Sequence, residues 1–122
     1  MAIRQHHAAR IYRGEKRFEF RRRRPRFELA TKVYIYETTP VRMVSGFFYA
    51  SEILDIGDDI DAFESDDRES AFVAEYLRYA RRPTAIRIGS PRRLDQPAPL
   101  TTFGLAAAPQ SYVYVRREFA GW

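Results

Sequence analysis

Apolar and polar residues alternate through Arg17-Phe18-Glu19-Phe20-Arg21. Successive side chains of a strand point to opposite faces. Phe18 and Phe20 are therefore predicted to share one face, and Arg17, Glu19, Arg21 and Arg23 the other. The strand is expected over 16–23, with its aromatic face in a core and a row of fixed charges opposite. Pro25 ends its pairing, because proline has no N–H to give. Ahead of the strand, Ala8, Ile11 and Tyr12 recur at helical spacing and predict a short helix over 5–13. Gly14 closes that helix, since left-handed backbone costs glycine little.

Val33-Tyr34-Ile35-Tyr36 predicts a second strand, and Thr38-Thr39-Pro40 a turn. A long β-branched and aromatic run follows from Val41 to Leu54, where Gly46 marks a bulge or bend. Residues 55–67 are acidic and read as a loop. Asp66 and Glu69 resemble a capping box for a second helix that ends near Ala80, before Pro83. Its residues Phe72, Val73, Tyr76 and Leu77 have helical spacing. A strand is predicted over 84–88, with Ile86 and Ile88 opposite Arg87, then a wrapped connection over 96–109 and a last strand over 111–115. This order predicts an α+β, mainly β, single domain spanning 1–122. It is a closed or nearly closed barrel of five to six short strands with two flanking helices.

Composition adds exclusions. The chain has no cysteine, so disulfides and thiolate chemistry are ruled out. No apolar run approaches the length of a membrane span, and the first residues lack a signal-peptide core. A soluble cytoplasmic protein with no membrane partner is the expectation. The net charge of +5 hides an asymmetry. Residues 1–48 carry a net +8, residues 49–80 a net −8, and residues 81–122 a net +5. Nineteen of the 21 basic residues are arginine, whose planar fork suits phosphate and guanine edges. A basic face with this pattern favours a nucleic-acid partner. The acidic segment works against it by neutralising part of the field.

Gly14-x-Lys16-x-x-Glu19-x-Arg21 resembles the signature of ASCH domains, members of the PUA-like β-barrel superfamily. The lead-in Ile3-Arg4-Gln5-x-His7-Ala8-x-x-Ile11 is similar to that family's opening strand and helix, with Arg4-Gln5 in place of a usual Lys-Pro pair. Val33 to Val41, Val44-x-Gly46-x-Phe48, Ala85-Ile86-Arg87-Ile88 and Pro109-Gln110-Ser111-Tyr112 also resemble family segments, in order along nearly the whole chain. The resemblance implies a small PUA-like barrel with a ligand cleft between the barrel and the first helix. Lys16, Glu19 and Arg21 would face that cleft. It also implies RNA or modified-nucleotide recognition. Some members hydrolyse an acetylated cytidine nucleoside with a lysine, a threonine and a glutamate, and others are ribonucleases or bind DNA.

Chemistry can be weighed residue by residue. A cation at Lys16 can bind phosphate or polarise a carbonyl. A carboxylate at Glu19 can accept a base amino group or act as general base. Arg21 can orient Glu19 or grip phosphate bidentately. The amidohydrolase pattern breaks at Glu19, which stands where those enzymes have a threonine; Glu75 is the one further candidate. Arg22, Arg23, Arg24 and Arg26 form a phosphate track or, more simply, a solvated edge that resists edge-to-edge pairing. Tyr34, Tyr36, Tyr112 and Tyr114 read mostly as barrel wall, with Tyr112 as a stacking candidate. His6 and His7 diverge on a helix and make no metal pair; no cofactor is implied. The reading is a module that binds RNA, single-stranded nucleic acid or a nucleotide. Its site is Arg4, His7, Lys16, Glu19, Arg21, Arg22, Arg23, Arg24, Gln110, Ser111 and Tyr112. Alternatives are a hydrolase on a modified nucleoside or RNA, with Lys16 and Glu19 catalytic, and a protein-interaction module. The last would use the acidic 49–80 segment to dock a basic partner or a second copy of the chain.

Overall fold

The computed structural model describes residues 1–26, 29–56, 77–78, 80, 82–109 and 111–115. The second helix predicted over 67–80 lies almost wholly outside these residues, as do Glu75 and Gln110.

Five strands form one sheet: β1 (Ala2–Ile3), β2 (Phe18–Arg21), β3 (Lys32–Glu37), β4 (Met43–Asp55) and β5 (Thr84–Ala98). Their order is β1-β3-β4-β5-β2. β1 runs parallel to β3, and every other neighbour is antiparallel. The helix α1 (Gln5–Tyr12) connects β1 to β2. Gly14 follows it at φ 76 and its N–H reaches the Ile11 carbonyl, so the glycine does the expected capping work.

α1 plugs the concave side of the sheet. Its Ala8 and Ile11 are fully buried against Val33, Ile35, Phe48, Ala50 and Ile86. Gly46 lies at an irregularity in both the β3–β4 and β4–β5 registers, where the long strand bends as predicted. Phe18 and Phe20 pack on the other side, with Leu54, Ile56, Leu77 and Ala85. A third cluster joins Tyr36, Val44 and Phe103 under the chain's last described residues.

Two elements differ from the sequence pattern. β5 does not stop near Ile88 but continues to Ala98, because β4 is long enough to keep pairing with it. The register shift between Phe47 and Tyr49 absorbs Ser90 (φ 47) and Pro91, so no ladder N–H is demanded of the proline. Residues 111–115 are not a strand. They meet β1 through the Ser111 carbonyl, which accepts the Ala2 N–H at 2.7 Å.

The two edges of the sheet, β1 and β2, share no backbone ladder. On β1 the Met1 and Ile3 carbonyls face β3, which turns the Ala2 N–H and C=O outward. Arg21 at the end of β2 donates to that Ala2 carbonyl at 2.8 Å. The barrel is thus brought together at one point by a side chain rather than by strand pairing.

Candidate functional site

The short strand β2 places Glu19 and Arg21 on one face, and the turn after Gly14 delivers Lys16 to the same place. Lys16 Nζ lies 3.4 Å from Glu19 Oε2, and Arg21 Nη2 lies 3.4 Å from Glu19 Oε1. All three residues are buried, with 6–8% of their surface exposed. Arg21 Nη1 also donates to Ser111 Oγ at 3.1 Å. One carboxylate therefore sits between two cations, leaving a net positive group in a low-dielectric setting where it acts strongly on any anion nearby. Glu19 Oε2 and Arg21 Nε make no hydrogen bond among the described residues. Alternation along the strand leaves this face open to solvent or to a cleft. The structure buries it, and Arg21 there bonds to Ala2 of β1 and to Ser111.

Lys16, Glu19, Arg21 and Ser111 are the predicted residues that the fold brings into contact. Arg4 is exposed and precedes the first turn of α1. His7 is half-buried, its ring 4.0 Å from that of His6. Arg22 and Arg23 are exposed just past β2. Arg24 is committed to Asp55 at 3.0 Å, which removes it from a free phosphate track. Tyr112 is half-buried against the central core, with Tyr114 edge-on at 6.0 Å. Tyr36 is buried, and Tyr34 contacts Phe47 and Phe103, so both are barrel wall. An apolar cavity of about 30 Å³ between Tyr34, Tyr36, Phe103 and Val115 is far too small for a nucleobase.

A second polar group was not foreseen. Tyr12 at the end of α1 bonds Ser45 on β4, hydroxyl to hydroxyl, at 2.7 Å. Arg93 on β5 lies over the Tyr12 ring at 4.2 Å, and its Nη1 is 3.9 Å from the buried carboxylate of Glu37 on β3. The period-two pattern of β3 could have flagged Glu37, which shares its parity with the core residues Val33 and Ile35. Burial pushes the Tyr12 hydroxyl up to about 12, with a further push from the Glu37 charge; the Ser45 hydrogen bond and Arg93 oppose it. Its folded value lies above the ordinary 10, so the stability it lends is complete below pH 10 and fades as pH rises towards 12. Ultraviolet titration of phenolate absorbance should show one tyrosine ionising in that last interval. The phase should vanish in Tyr12→Phe; its persistence there would refute the assignment.

Comparison with known proteins agrees with this architecture. The family model described as the ASCH domain matches residues 1–97. A protein of Zymomonas mobilis named ASCH domain-containing ribonuclease is 31% identical over 118 residues, covering 88% of this chain and 77% of the relative. The crystal structure of ASCH from Zymomonas mobilis superposes with a TM-score of 0.80 at 26% identity, over 99% of this chain and 89% of that one. A mutant form of that protein also superposes with a TM-score of 0.80, at 24% identity over 99% of this chain and 91% of its own. The open five-stranded sheet drawn together around α1 is accordingly that of the ASCH family, to which this chain belongs.

Proposed function

We propose that this protein binds RNA or a nucleotide at the side of the barrel where α1 meets β2. The observation that carries the reading is the buried Lys16–Glu19–Arg21 group, with exposed arginines directly downstream. Two cations around one carboxylate keep a positive field where water is scarce, which favours phosphate. Arg22, Arg23 and Arg26 are exposed and continue that field onto the surface. The relative named as a ribonuclease supports RNA as the polymer.

The test is fluorescence anisotropy with a short single-stranded RNA, the matching DNA and a duplex across a salt series. RNA binding should weaken with a log–log slope of roughly −2, the value for about three phosphate contacts on a single strand. Lys16→Ala should weaken it at least about tenfold, the loss of one buried charge contact. A complex insensitive to both salt and Lys16→Ala would overturn the reading.

A second reading has one observation in its favour. Arg21 holds the Ser111 hydroxyl beside the Lys16–Glu19 pair, so a hydroxyl, an amine and a carboxylate stand together as a hydrolase would need. The same RNA samples, resolved by length after incubation, decide it. Metal-independent cleavage abolished by Lys16→Ala and by Ser111→Ala would make the protein a ribonuclease.

A further inference from the structure

The Tyr12–Ser45–Glu37–Arg93 group joins α1, β4, β3 and β5 and lies outside the Lys16 cluster. A buried carboxylate normally survives by accepting several hydrogen bonds or pairing closely with a cation. Glu37 does neither. It is 5% exposed, and its nearest cation, Arg93, stands at 3.9 Å, too far for a hydrogen bond. No protein hydrogen bond to its carboxylate is seen among the described residues, and neither of its oxygens is among the side-chain atoms that are both unbonded and closed off from solvent, so the carboxylate can be reached from outside. The Tyr12 hydroxyl is already committed to Ser45, and the Arg93 guanidinium is already spread over the Tyr12 ring. The arrangement is built rather than incidental. A Cβ at Gly46 would strike the Tyr12 ring at 2.8 Å and the Arg92 carbonyl, so only glycine lets β4 come this close to Tyr12. The Arg93 side chain is 56% exposed, so a ligand gains the carboxylate by displacing one solvated side chain and not by opening the core.

We infer that Glu37, framed by Tyr12 and Arg93, is a subsite that reads guanine in the RNA or nucleotide; the inference rests on the nucleic-acid reading above. An ionised carboxylate is an acceptor only. Guanine's Watson–Crick edge offers two adjacent donors, the ring N1–H and the 2-amino group, one for each carboxylate oxygen. Adenine and cytosine each set an amino group beside an acceptor nitrogen, which would face the second oxygen repulsively. Uracil offers one N–H flanked by two carbonyls. A site with unmet acceptors discriminates strongly against ligands lacking the donors. Displacing Arg93 uncovers the face of the Tyr12 ring, an aromatic partner of the kind on which unpaired bases stack.

The experiment uses the full chain and labelled uridine octamers carrying a single central guanosine, inosine, adenosine, cytidine or uridine. The guanosine strand should bind at least about tenfold tighter than the adenosine, cytidine and uridine strands. Inosine, which keeps N1–H but lacks the 2-amino group, should fall between. Glu37→Gln, checked for an unchanged melting temperature, should bind all five strands alike at the wild-type uridine level. Unlabelled GMP separates the sources: competition as strong as that of the guanosine octamer assigns the subsite to a free nucleotide, and weak competition to a strand. Equal binding of guanosine and uridine strands by the wild type would overturn the guanine inference, while binding that still fell in Lys16→Ala would leave the broader reading intact. A guanosine preference retained in Glu37→Gln would remove Glu37 from the assignment. Failure of every strand and of GMP to bind would overturn both.

Discussion

Arg21→Met should be among the most damaging single substitutions in this chain, lowering stability by about 3–5 kcal/mol, the usual cost of removing one partner from a buried ion group. Three partners lose their donor at once: the Ala2 carbonyl, the Ser111 hydroxyl and the Glu19 carboxylate. Two of them, Ala2 and Ser111, belong to segments that share no backbone ladder with β2 among the described residues, so the loss also loosens the seam between the sheet's edges. Arg21→Lys should recover little. An ammonium has no planar fork with which to reach Ala2, Ser111 and Glu19 from one position. The informative comparison is the double variant Arg21→Met/Glu19→Leu. Removing the stranded carboxylate as well should restore part of the loss, and the cycle should give a coupling on the order of 1–3 kcal/mol. Thermal and urea denaturation of the four proteins read this directly. A single variant within about 1 kcal/mol of wild type would show that the seam does not hold the barrel together.

Gly46→Ala should follow closely. The added methyl meets the Tyr12 hydroxyl at 2.5 Å, the Tyr12 ring and the Arg92 backbone carbonyl. The tyrosine can turn aside by breaking its bond to Ser45, but the carbonyl belongs to the β4–β5 ladder and cannot retreat without disturbing it. Overpacking of this kind costs typically about 1–3 kcal/mol, and a backbone obstacle puts this site at the upper end. Tyr12→Phe in the Gly46→Ala background should recover only a fraction, because it removes the hydroxyl and leaves the ring and the carbonyl in place. Full recovery would mean that the hydroxyl alone sets the need for glycine. The affinity for guanosine-containing strands should fall with Gly46→Ala as well, since Tyr12 is displaced from beside Glu37.

Much of this was written locally. The parity of residues 17–21 separated Phe18 and Phe20 from Glu19 and Arg21, and the structure keeps that separation. Gly14 as a helix stop, Gly46 as a bend and the helix over Ala8, Ile11 and Tyr12 follow from backbone sterics and from a period of 3.6, which act within a few residues. The order of motifs also pointed to the ASCH family, which the family model matches over residues 1–97. The continuation of β5 past Pro91 was not legible, because it depends on how far β4 extends beside it. Neither was the loss of residues 111–115 as a strand. Their alternating tyrosines and valines suit a sheet, but the edge offered to them, β1, presents only one outward residue for pairing.

Local rules along the chain set the residue types at the seam, the faces they occupy along β2, the basic and acidic blocks, and the turns after α1 and β3. Those depend on neighbours in the chain and on backbone geometry that any fold must obey. Packing across the sheet sets the rest: the charged face is buried, Arg21 reaches across to Ala2 and to Ser111 ninety residues away, Arg24 is spent on Asp55, and Glu37 faces Arg93 across 3.9 Å. The physical reason is common to all four. A strand's parity names a side of the sheet, but what covers that side is set by the sheet's curvature and strand order, which bring together residues that no local pattern relates.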